Sequence, residues 1–163
     1  MYKLQLDREF SQDLFSESSK EIRDWVVNAI ANIVVADDII EKHEFVALQE
    51  AMGLLDSKEE ILDLMKKVKE RNLFEVKKIK IDPDLSLKIF FYLAGIAVID
   101  GSLKKSEAEL LKKCGNCLDL EADNIRAGIT WAVKQMEINR NLSNELNKSN
   151  KERSRILDSS IIN

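Results

Sequence analysis

An all-α fold is predicted, a compact bundle of about six to eight helices built from two pseudo-symmetric three-helix repeats. Composition points to it first: 45% of the 163 residues are hydrophobic and 33% charged, while five glycines and one proline interrupt the chain. So few breakers favour long helices over a many-turned β fold. Apolar residues also recur at helical spacing in most segments, and one stretch of that pattern returns further along the chain. The length suits one domain, large enough to bury about two-thirds of its unfolded surface.

The elements follow in order. Ile22, Val26, Ala29, Ile30, Ile33 and Val34 form one apolar stripe over residues 21 to 35, after a polar SESSK stretch that supplies an N-cap. Phe45, Leu48, Ala51, Met52 and Leu55 mark a second helix ending between Gly53 and Leu55. Ser57 and Glu60 have capping-box spacing before Ile61, Leu62, Met65 and Val68, which predicts a third helix to about Arg71. The stretch NLFEVKKIKIDPD reads as a connector, with room for a short helix. Asp82 as N-cap and Pro83 at the first helical position open a helix to Ile99. Leu110, Leu111 and Cys114 lie on a fifth helix, and Ile125, Ile129, Trp131, Ala132, Val133 and Met136 on a sixth. Residues 1–139 are expected to form the domain, with repeats at about 20–71 and 83–138, and polar residues 140–163 a tail or frayed helix.

The repeat emerges at an offset of 63 positions, which aligns Ala31 with Ala94, Ile33 with Ile96, Val35 with Val98 and Leu48 with Leu111. The same register pairs Asp37 with Asp100, Lys42 with Lys105 and Glu44 with Glu107. A three-helix unit of this size cannot bury its own apolar stripe, but two of them can close a core.

The repeated acids have a physical problem to solve. Asp37 and Asp100 stand at the predicted C-termini of helices, where carbonyl dipoles disfavour an anion by up to about 1 kcal/mol. An Asx-type turn or a bound cation offsets that cost. Glu44 and Glu107 open the following helices, where the dipole favours an anion and the side chain can reach back to the loop. A tight loop draws each Asp–Glu pair together, and oxygen clusters of that kind suit Ca²⁺ or Mg²⁺ rather than zinc. The metal-free reading, a turn-closing Asp and a helix-capping Glu, accounts for the same residues. Neither DDIIEKHE nor DGSLKKSE carries the alternating ligands of an EF-hand.

An apolar helix, Asp-Gly, an aliphatic residue two places later and Glu seven after the Asp, in two copies, resembles the TerB-like family of tellurite-resistance proteins and the N-terminal domain of DjlA-type cochaperones. The likeness spans about residues 20 to 138. It implies a compact helical domain with internal pseudo-symmetry, without enzymatic activity, associated with bacterial stress and tellurite-resistance systems and binding a divalent cation through its acids. Asp100, Gly101, Leu103 and Glu107 match the motif in the second copy, and Asp37, Ile40 and Glu44 in the first. Asp38 replaces the glycine of the first copy, adding a carboxylate. Glu41 and Lys104 stand where the family commonly has a small Ser or Asp, and Lys104 brings a positive charge into the second loop. The resemblance therefore nominates Asp37, Asp38, Glu44, Asp100 and Glu107 as metal ligands, with the acid-rich first loop preferred.

Other features are read more plainly. Cys114 and Cys117 supply two of the four ligands of a zinc site and sit in no thioredoxin-like context, so they are expected as semi-buried thiols at a helix end and fit a reducing, cytoplasmic compartment. His43 is expected at the surface, and Trp25 and Trp131 in core or groove packing. Basic residues crowd residues 66 to 80 around Phe74, interrupted by Glu70 and Glu75; a solvated helix face is the favoured reading, an anionic surface or partner the alternative. A net charge of -4 gives no general attraction for nucleic acid, and the longest apolar run, residues 89 to 99, is far shorter than the roughly 20 residues of a membrane span. Peripheral membrane association stays open. No nucleophile-base pair or phosphate-binding loop is recognisable, so an enzyme ranks below a protein-binding scaffold.

Overall fold

Local signals set most helix ends. The computed structural model describes residues 14–36, 44–98 and 101–148. Within them run α1 (Lys20–Val34), α2 (Glu44–Gly53), α3 (Lys58–Glu70), α4 (Pro83–Ala97), α5 (Lys105–Cys117) and α6 (Ala122–Leu146). No strand occurs among the described residues. The Ser19 hydroxyl accepts from the Ile22 amide, and Asp82 Oδ2 accepts from the Asp84 and Leu85 amides ahead of Pro83. Ser57 and Glu60 form the predicted capping box: Ser57 Oγ accepts from Glu60 N at 3.2 Å, and Glu60 Oε2 accepts from Ser57 N at 3.3 Å. Arg71 ends α3 in the left-handed region, φ 53°, which lets the Asn72 amide reach the Lys67 carbonyl.

The core is built mainly from α1, α4 and α5, with α2 against α1 and α6 against α4 and α5. Val26, Ile30, Ile89, Phe90, Leu93 and Leu111 are its fully buried centre. Phe90 lies where α4, α5 and α6 meet, a site that two glycines make possible. A Cβ at Gly115 would fall 2.6 Å from Ile125 Cγ1 and 3.2 Å from Phe90 Cε2, and one at Gly128 would collide with the same ring. The helices approach this closely because neither position carries a side chain.

Residues 72 to 82 contain no helix. They return along α1 as an extended segment held by side chains on both sides. Trp25 Nε1 donates to the Lys77 carbonyl at 2.7 Å, and the Asn28 and Asn32 amides donate to the Phe74 carbonyl. From α5, the Cys117 carbonyl accepts from the Ile79 amide, Cys117 Sγ meets the Val76 carbonyl, and Lys113 pairs with Glu75. Val76 is buried between these partners. At its N-terminus α3 is tied to α1 through Lys20, 2.6 Å from Glu60, and through Arg23, whose Nη2 donates to both carboxylate oxygens of Asp56.

Helix α6 continues without a break to Leu146, and residues 149–163 lie outside the described part. Two details differ from the sequence reading. Trp131 is not a core residue but 40% exposed, leaning on Phe91 with ring centroids 5.4 Å apart. Both cysteines are buried rather than semi-buried.

Candidate functional site

The second loop is the part of the candidate site that the structure describes. Helix α4 closes at Val98, whose carbonyl accepts from the Gly101 amide at 3.0 Å. Gly101 has φ +85°, a conformation that L side chains rarely adopt, so any other residue would strain this point of the turn. Leu103, two residues on, packs against the core. Lys104 then caps α5, and the Lys104 amide donates to Glu107 Oε2 at 2.7 Å. Glu107 is one of two buried polar or charged residues among those described, only 5% exposed.

A buried carboxylate has to be compensated by hydrogen bonds or charge. For Glu107 one compensation is the amide it caps; the α5 N-terminal dipole supplies another. The loop has a further tie that the sequence did not indicate. Arg140, more than a turn before the end of α6, donates from Nη2 to the Gly101 carbonyl. That places a guanidinium on an oxygen that a cation would otherwise use, beside a loop that already contains Lys104. No local pattern could have nominated Arg140, since its partner lies 39 positions away in the loop between α4 and α5 and the contact exists only after α6 crosses that loop.

Of the other nominated ligands, Glu44 is the first residue of α2, and Asp37, Asp38 and Asp100 lie outside the described residues, as does His43. Glu107 is thus the one nominated acid whose side chain is placed. Among the described residues no three His, Cys, Asp or Glu side chains gather in an arrangement able to hold a metal ion.

Cys114 and Cys117 carry free thiols on the last turns of α5. Burial pushes the Cys114 thiol up from 9.0 to about 12, the neighbouring Cys117 adding to the rise. The Cys117 thiol is also raised, again chiefly by burial. Thiols held protonated in this way are poor nucleophiles and poor metal ligands. Among the described residues no helix is long and apolar enough to cross a membrane. Comparison of the chain with protein-family models, with curated proteins and with solved structures finds no match in any of the three.

Proposed function

We propose that the chain is a non-enzymatic, TerB-like helical module that works as a protein-interaction scaffold, and that Glu107 in its second copy is a helix-capping residue rather than a metal ligand. The observation that carries this reading is the buried Glu107 carboxylate accepting the Lys104 amide at 2.7 Å. The Arg140 guanidinium on the Gly101 carbonyl adds to it, because positive charge at the loop opposes a second cation. A partner protein, not a small-molecule substrate, is the ligand that this reading implies.

Duplication of one unit is part of the proposal, and the helix bounds support it. Shifting α1 by the offset of 63 gives the bounds of α4, Pro83–Ala97, and both helices have 15 residues. Their C-caps, Val35 and Val98, stand at the same offset with nearly the same backbone angles. Shifted in the same way, α2 falls within α5. The third pair departs: α3 ends at Glu70, while α6 continues about three and a half turns beyond the matching point and brings Arg140 to the loop.

Calorimetric titration with Ca²⁺ and Mg²⁺ separates this reading from a cation-binding one. The wild type is compared with the Asp37→Asn, Asp100→Asn double variant and with Glu107→Gln. The scaffold reading expects flat titrations for all three and a lower Tm in the double variant. A saturable signal in the wild type that disappears in the double variant would overturn it and return the function to a divalent-cation site through Asp37, Asp38 and Glu44.

A further inference from the structure

Charge is distributed unevenly over the chain. Between Lys58 and Lys80 there are eight basic and five acidic residues, a net +3 in a protein whose total is -4. Three of those five acids are already paired: Glu60 with Lys20, Asp63 with Lys67, and Glu75 with Lys113. Lys58, Lys66, Lys69, Lys77, Lys78 and Lys80 are exposed and make no ion pair among the described residues. The cations of α3 and the connector are therefore left in excess on the surface.

Helix α3 sorts its residues in a way that gives this excess a direction. Leu64 and Val68 are its buried anchors. Leu62, Met65, Lys66 and Lys69 follow the i, i+3, i+4, i+7 spacing of a single, different face. On that face Leu62 is 60% and Met65 38% exposed. Lys58 lies on the same face one turn before Leu62. Beyond the helix Phe74 is 66% exposed, with the Lys67 ammonium 4.8 Å over its ring. Large apolar side chains left in water among unpaired lysines, on the outside of a helix rather than in a groove, match the chemistry of an interfacial amphipathic surface.

We infer that the outer face of α3 docks on an anionic lipid bilayer, Lys58, Lys66 and Lys69 meeting the headgroups while Leu62 and Met65 enter the interface. A convex helix face offers no cleft for a folded peptide, whereas a planar anionic surface can contact spaced lysines at once. Unpaired lysines near such a surface contribute additively, and the attraction is screened by salt.

The full-length protein is sedimented with vesicles of phosphatidylcholine alone and of phosphatidylcholine with about 30% phosphatidylserine, at low salt and at about 0.5 M salt. Association is expected with the anionic vesicles only, and release at high salt. The K66E/K69E variant is expected to lose at least about tenfold in affinity, and L62S several-fold, with far-ultraviolet circular dichroism unchanged because these positions are exposed. Absence of association with anionic vesicles, or undiminished association of K66E/K69E, would overturn the inference. Binding of polyglutamate without vesicle binding would overturn it too and assign the face to an acidic protein partner.

Discussion

Arg140 on α6 donates to the carbonyl oxygen of Gly101, a residue 39 positions earlier in the loop between α4 and α5. Through this contact the last helix closes over the turn that holds Gly101 at positive φ. Replacing Arg140 with alanine is expected to cost about 1 kcal/mol, a typical figure for a charged hydrogen bond partly open to water. Amide hydrogen exchange should locate that loss in the loop and in the last turns of α6. Uniform faster exchange across the whole protein would count against a local role.

Glu107→Ala removes the acceptor of the Lys104 amide and is expected to lower stability by about 1 kcal/mol or more, in the range of other N-terminal cap losses. Glu107→Gln keeps an oxygen acceptor and should retain part of it. Thermal unfolding of both variants in the presence and absence of Ca²⁺ checks this: the capping role predicts the same Tm difference under both conditions.

Gly128→Ala sets a methyl group against the Phe90 ring, and Gly115→Ala sets one 2.6 Å from Ile125 Cγ1. Either substitution should destabilise the fold by about 1–3 kcal/mol through overpacking, although alanine is the better helix former. Pairing Gly128→Ala with Phe90→Leu should recover part of the loss. Denaturant unfolding of the single and double variants measures the coupling.

Trp25→Phe deletes the 2.7 Å hydrogen bond to the Lys77 carbonyl and is expected to cost about 0.5–1.5 kcal/mol. The change should be felt chiefly in the connector, as faster exchange or proteolysis near residues 74 to 80.

Stability at high pH should depend on Cys114. Its thiol is raised from 9.0 to about 12 in the folded protein, so the folded state holds the proton more tightly than the unfolded chain does. Below pH 9 both states are protonated and the stabilisation is complete. Between pH 9 and about 12 the unfolded chain loses its proton first, so stability falls across that window. The Cys114→Ala variant should show a shallower fall, read from Tm against pH. A thiol reagent at pH 8 should modify Cys114 only after unfolding.

The helices and their caps were legible because they depend on hydrogen bonds within a few residues. Ser57 with Glu60 and Asp82 with Pro83 make the contacts that their spacing predicted. Gly101 was readable for the same reason, since a positive φ is a property of one residue and its neighbours. The buried stripe of α1 was equally plain, because helical periodicity alone decides which residues share a face.

Tertiary structure alone decided which of several apolar or charged faces would be covered. Trp131 follows the helical stripe yet remains half in water, because Phe91 covers only one side of it. The connector reads as weakly structured, but Trp25, Asn28 and Asn32 on one side and Cys117 and Lys113 on the other hold it in place across 38 to 52 positions of chain. Arg140 reaches Gly101 only because α6 is long enough to cross the loop. Sequence by itself determined the helices, their order and their caps, where the partner groups are local. The pairing of side chains with distant backbone carbonyls depended on how the helices crossed, and α4, α5 and α6 meet closely because Gly115 and Gly128 carry no side chain beside Phe90.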